Sequence, residues 1–335
     1  MNYLFEISKE HKTLPKSEII SILKSKKIGF EVIESNEDVL IINSNINENT
    51  LKKIAERLAY TFYLDKFLFS SSPSIKEIKK LAISNSLKIK GTIAIKYKNR
   101  SKTIDSQTFV KCLAEIYSKN RLVNLEDPEI ELRVFINEKK IYVGLKILRI
   151  NRTQYEERKV QNRPFFSPIS LHPKLARALV NLSLIKSGET ILDPFCGTGG
   201  ILIEAGLIGA KIIGNDIEEK MINGCKKTFD FYEIKNYKLF CNDVGDIKNT
   251  LSKVDAIVTD LPYGKSTTTK GEKMEDLYNR AFKEMSYLLK ENKIAVVGLS
   301  DRDLIYLGEK YFRLENTFKF KVHRSLRRYF VVFKK

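Results

Sequence analysis

The sequence predicts an α/β protein whose C-terminal half is a mostly parallel, doubly wound sheet ending in an antiparallel hairpin, preceded by two smaller α+β units. Three observations carry this. From residue 166 onward, short apolar strand-like runs alternate with helical segments, the order that builds parallel crossovers. The first 150 residues instead show strands in pairs between single helices. The length of 335 residues exceeds one domain at the usual ~150 residues each, and 43% hydrophobic with 30% charged residues is a globular balance.

The elements follow in order. Residues 1–70 read as a strand (3–7), a helix (16–25), two strands (29–34, 39–43), a helix (48–59) and an apolar run (60–69). Ser70, Ser71, Ser72, Pro73 and Ser74 then break the periodicity, so a boundary is expected there. Residues 71–150 repeat an α+β pattern: a helix over 75–84, a strand over 92–98, a helix after Asp105 and strands over 130–137 and 141–148. The helix after Asp105 offers Val110, Leu113, Ala114 and Tyr117 as one apolar face. Residues 151–165 are polar and non-periodic, and read as a linker. Within 166–335, strands over 190–192, 211–214, 256–259 and 294–299 alternate with helices over 174–184, 200–207, 218–232 and 274–289. The last two strands, 316–321 and 328–333, have no helix between them and must pair antiparallel.

Charge points to a partner. Fifty-nine Lys and Arg against 41 Asp and Glu leave a formal +18 and a pI near 9.5, a surplus suited to a polyanion. Between Lys76 and Lys102 stand nine basic residues and one acid, and 319–335 holds seven basic residues and no acid. No apolar run approaches the ~18 residues that span a bilayer. The first twelve residues carry Glu6, Lys9, Glu10 and Lys12 where a signal peptide needs an apolar stretch, so a cytoplasmic location is expected. The four cysteines form no C-x-x-C pair, and no metal site is expected.

The chemistry lies at the strand ends. The 190–192 strand runs into Asp193-Pro194-Phe195-Cys196-Gly197-Thr198-Gly199-Gly200 and then a helix. Its glycines let backbone approach a ligand, but it matches neither G-x-G-x-x-G nor the P-loop and has no Lys for a phosphate. An acid at its head suits the α-ammonium of an amino-acid moiety. The next strand ends in Asn215-Asp216-Ile217, where a carboxylate can bind both ribose hydroxyls, although Asp216 alone would also serve as a helix cap. The third ends in Asn242-Asp243-Val244, placed to read an adenine amine. Together the three describe S-adenosylmethionine better than a dinucleotide. The fourth ends in Asp260-Leu261-Pro262-Tyr263-Gly264. Pro-Tyr-Gly is also ordinary turn chemistry, but beside that cofactor site it suits methyl transfer to an exocyclic amine. Asp260 and the Leu261 carbonyl would accept the N–H bonds, and Tyr263 would stack on the base. Residues 265–273 would either cover the site or form only a long surface loop.

The order D-P-F-C-G-T-G-G, N-D-I, N-D-V, D-L-P-Y-G resembles the Rossmann-fold amino-methyltransferases, whose fourth-strand motif is (D/N/S)-(P/I/L)-P-(Y/F/W). The basic segment 91–101, the helix after Asp105 and 123–128 look like a THUMP domain, an RNA-binding module of tRNA-modifying enzymes. The segment R-P-F-F-S-P-I-S-L-H-P-K-L-A-R (163–177) and H-R-S-L-R-R (323–328) resemble the archaeal THUMP methyltransferases that modify the 2-amino group of guanine at tRNA position 10. The resemblance covers nearly the whole chain. It implies a ferredoxin-like subdomain (1–70), a THUMP domain (71–150), a linker (151–165) and a Rossmann-fold methyltransferase (166–335). It also implies S-adenosylmethionine as cofactor and a tRNA substrate rather than DNA. A monomer active alone is expected, with a small activating subunit as the alternative. Asp193, Phe195, Gly197, Thr198, Gly199, Asp216, Ile217, Asp243 and Val244 would surround the cofactor, and Asp260, Pro262 and Tyr263 the base. Leu261 stands where a second Pro is usual.

Lys88, Lys90, Lys96, Lys98, Arg100 and Lys102, with Arg324, Arg327 and Arg328 near the C-terminus, are the candidate RNA contacts, binding phosphates by charge and shape. Two other readings stay open on the residues alone: the same chemistry on guanine at another tRNA or rRNA position, and a non-catalytic RNA-binding scaffold.

Overall fold

The computed structural model describes residues 1–165, 167, 170–263, 272–321 and 327–335. Its elements begin with β1 (Asn2–Ile7), α1 (Leu14–Ser25), β2 (Phe30–Ser35), β3 (Val39–Ser44), α2 (Glu48–Ala55), β4 (Thr61–Ser71), α3 (Ile75–Ser84), β5 (Ile93–Asn99), α4 (Ser106–Tyr117), β6 (Ile130–Ile136) and β7 (Ile141–Arg149). They continue with α5 (Thr153–Glu157), α6 (Pro173–Leu182), β8 (Thr190–Asp193), α7 (Gly200–Gly206), β9 (Lys211–Asn215), α8 (Glu219–Phe231) and β10 (Tyr237–Phe240). The last are β11 (Val254–Asp260), α9 (Met274–Leu288), β12 (Leu289–Leu299), α10 (Ile305–Glu309), β13 (Arg313–Lys321) and β14 (Arg327–Lys334).

The chain divides into two compact units. The first comprises Met1–Glu10, Gly29–Glu56 and Thr61–Asn151 and holds one sheet in the order β2-β3-β1-β4-β7-β6-β5. The boundary expected after residue 70 falls inside that sheet. β4 pairs with β1 along one edge and with β7 along the other, and Ser70 and Ser71 still pair with Tyr142 and Ile141. Only at Ser74, whose side chain accepts from the Glu77 amide, does a helix begin. In α4 the helical period is as expected but its phase is one residue earlier, because Phe109 and Cys112 bury with Leu113 and Tyr117 while Val110 and Ala114 stay partly exposed.

The second unit comprises His11–Ile28, Arg57–Tyr60 and Arg152–Lys335. Helix α1 therefore belongs with the C-terminal sheet rather than with its sequence neighbours. Its fully buried Glu18 accepts from the Ala59 and Tyr60 amides at 3.0 Å each and from Asn181 at 2.9 Å. Arg57 in turn donates to Asn181 at 3.0 Å. The expected linker is folded too: α5 and a 3₁₀ turn (Val160–Asn162) pack on this unit with Tyr155 fully buried. Arg158 and Arg177 both reach the buried Glu204 of α7. Arg158 of this segment thus partners a buried acid, which composition does not separate from a solvated loop.

The sheet of this unit runs β10-β9-β8-β11-β12-β14-β13. Strands β10 to β12 pair in parallel, and β14 runs antiparallel to both β12 and β13. Chain order reverses between β8 and β11, which opens a crevice at their carboxyl ends. Buried Ile191, Val258, Val296 and Phe330 anchor one face and Leu192, Ile257, Val297 and Phe333 the other. Among the described residues no helix is long and apolar enough to cross a membrane.

Candidate active site

A cavity of about 560 Å³ opens at that crevice. The four acids named from sequence line it, one from the end of β8, one following β9, one following β10 and one ending β11: Asp193, Asp216, Asp243 and Asp260. Phe195, Gly197, Thr198, Ile217, Val244, Pro262 and Tyr263 line it as well.

Asp193 is nearly inaccessible, and its Oδ1 accepts from the Thr259 hydroxyl at 2.6 Å and the Phe195 amide at 3.2 Å. Burial pushes its carboxyl up to about 7, helped by the neighbouring Asp216 and Asp260. Asp216 bridges two segments: Oδ2 accepts from the Gly197 amide at 2.9 Å, and Oδ1 from the Glu218 amide at 3.0 Å. Burial raises its pKa against those two bonds. It therefore makes the local turn a cap would make and also ties the glycine loop to β9. Thr198 shares a 2.6 Å hydrogen bond with Ser170, and Ser167 and Ser170 both line the cavity.

Gly199 departs from expectation. It does not line the cavity; at φ +76° it faces Phe229 and Cys225, which a Cβ would meet at 2.9 and 3.0 Å. Its role is to let the loop turn and pack on α8, with the Cys225 thiol donating to the Gly197 carbonyl at 3.0 Å. Asp243 accepts from the Gly245 amide at 2.8 Å and is ion-paired with Arg280 of α9, which also bonds Glu272 at 2.7 and 3.0 Å. Arg280 was not foreseen, since nothing local in α9 marks one arginine of an amphipathic helix as the partner of a distant strand end.

Asp260 ends β11 beside Gly298 of β12, where a Cβ would stand 2.2 Å from its Oδ1. Oδ1 accepts from the Tyr263 hydroxyl, and Oδ2 pairs with Arg328 at 3.2 Å. Burial raises the Asp260 pKa while the guanidinium and the phenol pull it down. The Pro262 carbonyl accepts from Tyr278 at 2.8 Å, which pins the turn.

Two arginines expected on phosphates have other duties. Arg328 is 9% exposed, with its guanidinium 4.7 Å from the centre of the Tyr263 ring. Arg100 is paired with Asp38 at 2.8 Å and Glu6 at 3.5 Å and lies over Phe135, because a strand-end arginine meets acids that the sheet brings together from β1 and the turn before β3. Lys88, Lys90, Lys98, Lys102 and Arg327 are exposed, and Lys96, also exposed, reaches Glu131 at 3.7 Å. Arg324 and residues 265–271 of the expected cover lie outside the described residues.

A doubly wound sheet with an antiparallel last hairpin, a glycine turn after its first strand and acids at four strand ends defines a Rossmann-fold methyltransferase. TrmN from Thermus thermophilus shares this fold, with a TM-score of 0.57 at 18% identity over the whole of both chains. Residues 161–329 match the family described as RMKL-like, methyltransferase domain, and residues 31–227 match a DNA methylase family over a span that stops before Asp260. The tRNA (guanine(10)-N2)-dimethyltransferase of Methanothermobacter thermautotrophicus is 34% identical over 98% of each chain. That of Pyrococcus abyssi is 36% identical over 88% of this chain and 89% of its own. The chain belongs to the tRNA (guanine(10)-N2)-dimethyltransferase family.

Proposed function

We propose that the protein methylates the exocyclic 2-amino group of guanine at position 10 of tRNA, giving N2-methyl- and then N2,N2-dimethylguanosine, with S-adenosylmethionine as the donor. The observation that carries this is the end-to-end similarity to an enzyme named for that reaction, combined with an intact acid at each of the four strand ends. The cavity fits the cofactor: a buried acid stands beside a glycine loop that turns at positive φ at Gly197 and Gly199, and among the described residues no basic residue lines it that would favour a pyrophosphate.

S-adenosylmethionine, when bound, supplies an electrophilic methyl on a sulfonium. Asp193 would hold the amino-acid ammonium, Ser170 and Thr198 would offer hydroxyls to its carboxylate, Asp216 would take the ribose hydroxyls, and Asp243, Ile217 and Val244 would border the adenine. The 2-amino nitrogen of guanine is a poor nucleophile because its lone pair is delocalised into the ring. Asp260 and the Leu261 carbonyl would accept its N–H bonds, turn the lone pair toward the methyl and offset the charge that develops on nitrogen. Tyr263 would leave Asp260 to stack on the flipped base.

Exposed Lys88, Lys90, Lys96, Lys98 and Lys102 would hold phosphates on a THUMP-like part of the first unit. The enzyme would act as a cytoplasmic monomer without an activating subunit. The test is incubation with isotopically labelled S-adenosylmethionine and unmodified tRNA transcript, followed by nucleoside analysis. Labelled N2-methyl- and N2,N2-dimethylguanosine at position 10, absent with Asp260→Ala, is the expected result. Binding of both ligands without transfer, or label in another base, would overturn the reading.

A further inference from the structure

Arg328 reaches the site from an element remote in sequence, and its environment is not that of a phosphate contact. It lies on β14, opposite Phe320 of β13, and is 9% exposed. One guanidinium nitrogen is 3.2 Å from Asp260 Oδ2, and the group packs over the Tyr263 ring. Among the described residues its Nε is buried without a hydrogen-bond partner. A buried arginine with donor capacity to spare, in contact with the carboxylate that would accept the reacting amine, is suited to a base edge rather than to a backbone.

Guanine presents along its Watson–Crick edge two donors, N2–H and N1–H, followed by the acceptor O6. The Asp260–Arg328 pair presents the complement in the same order: two carboxylate oxygens, then an N–H donor attached to the second. The Tyr263 hydroxyl, donating to Oδ1, holds the place that N2–H would take. With N2–H on Oδ1 and N1–H on Oδ2, the next group along the base is O6, and the next group along the protein is the guanidinium already on Oδ2. Adenine offers an acceptor and then a donor there, which leaves both the carboxylate and the arginine mismatched. We infer that Arg328 is the specificity-determining residue of this site, donating to O6 of the flipped guanine. The inference rests on the guanine-N2 reading above and deepens it. Arginine to O6 is a common means of recognising guanine in duplex DNA; a flipped base is read on its Watson–Crick edge.

The experiment compares two tRNAs assembled by ligation, with guanine or 2,6-diaminopurine at the target position. Diaminopurine keeps the 2-amino group, replaces O6 with an N–H donor and turns N1–H into an acceptor, so the part of the preference that disappears with Arg328 is the part assigned to O6. Wild type, Arg328→Ala, Arg328→Lys and Arg328→Gln are assayed on both, with thermal melting and S-adenosylmethionine binding measured for each. Wild type should prefer guanine by about 100-fold or more in kcat/KM, since on diaminopurine both the carboxylate and the guanidinium lose a partner. That preference should shrink about tenfold or more in Arg328→Ala, with Arg328→Lys and Arg328→Gln between, since each retains a donor. The salt dependence of tRNA binding should not change, because Arg328 neutralises no phosphate. If Arg328 only positions Asp260, both substrates lose rate together and the preference stays at its wild-type value, which overturns the inference alone. Equal rates on both tRNAs by the wild type would overturn it even if Arg328→Ala fails to fold. No 2-amino product from either tRNA would remove the guanine-N2 reading and this inference with it.

Discussion

Asp193 and Asp260 are the same side chain held in two different environments. Asp193 is buried among acids and neutral donors, so its folded pKa of about 7 lies above the ordinary ~3.9 of an unfolded chain. A raised carboxyl favours the fold at low pH, and that contribution is lost as pH rises from about 4 through 7. Asp193→Asn should therefore gain in melting temperature relative to wild type as pH goes from 5 to 8, measured without ligand. An ammonium requires the ionised form, so S-adenosylmethionine affinity should weaken below pH 7, approaching tenfold per unit. Calorimetric affinities that are flat between pH 5 and 7 would count against Asp193 as the ammonium site. At Asp260, Arg328 opposes the effect of burial. Asp260→Asn should lower methyl transfer by about 10²–10⁴-fold while cofactor affinity stays within a few-fold.

At the scale of the element, the site depends on where strands stop and what their neighbours omit. β11 delivers Asp260 into space that β12 leaves open at Gly298, since a Cβ there would stand 2.2 Å from the carboxylate and 2.8 Å from Phe330. Gly298→Ala should cost at least ~10²-fold in transfer, the loss expected when a positioned group is displaced by about 1 Å, with little change in cofactor binding. Equal loss of cofactor affinity would mean that the whole crevice, rather than one carboxylate, had moved. At β8 the constraint is conformational: Gly199 sits at φ +76°, where another residue costs about 1–2 kcal/mol. The four strand ends were legible in the sequence because each acid ends its strand or follows it within three residues. The duties of Arg280 and Arg328 were not, because helix and hairpin periodicity mark which face a residue occupies and leave its distant partner unspecified.

For the whole molecule, the relevant fact is that the chain passes between the two units five times, after residues 10, 28, 56, 60 and 151. Lengthening the chain at 151–152 alone leaves four other passages, so methylation at the same nucleotide should persist; label at a new position would show that this single connection sets the spacing. A fragment of residues 152–335 would lack α1 and Arg57–Tyr60, and so the partners of Asn181 in a fully buried network. It should melt well below the intact protein. On the RNA side, Lys88→Ala with Lys90→Ala should reduce the salt slope of tRNA binding by about 0.7–0.9 per residue. Arg100→Ala should leave the slope alone and cost about 1.5–3 kcal/mol in urea unfolding, because it removes one charged donor from the buried Glu6 and Asp38, which keep Arg133 and Lys9.

What the sequence determined by itself was local and periodic. The order of strands and helices, the antiparallel last hairpin, the turn chemistry of 193–200 and the acids at four strand ends all follow from spacing within a few residues. Tertiary structure alone decided which segments share a core. It moved α1 and residues 152–165 to the second unit, drew β4 through the boundary expected after residue 70, and turned Arg100 and Arg328 from solvent toward acids. The physical reason is that a buried charge must be paired, and its partner is chosen by proximity in the folded chain. A basic residue reads the same in sequence whether it meets a phosphate or a carboxylate, and only the sheet register distinguishes them.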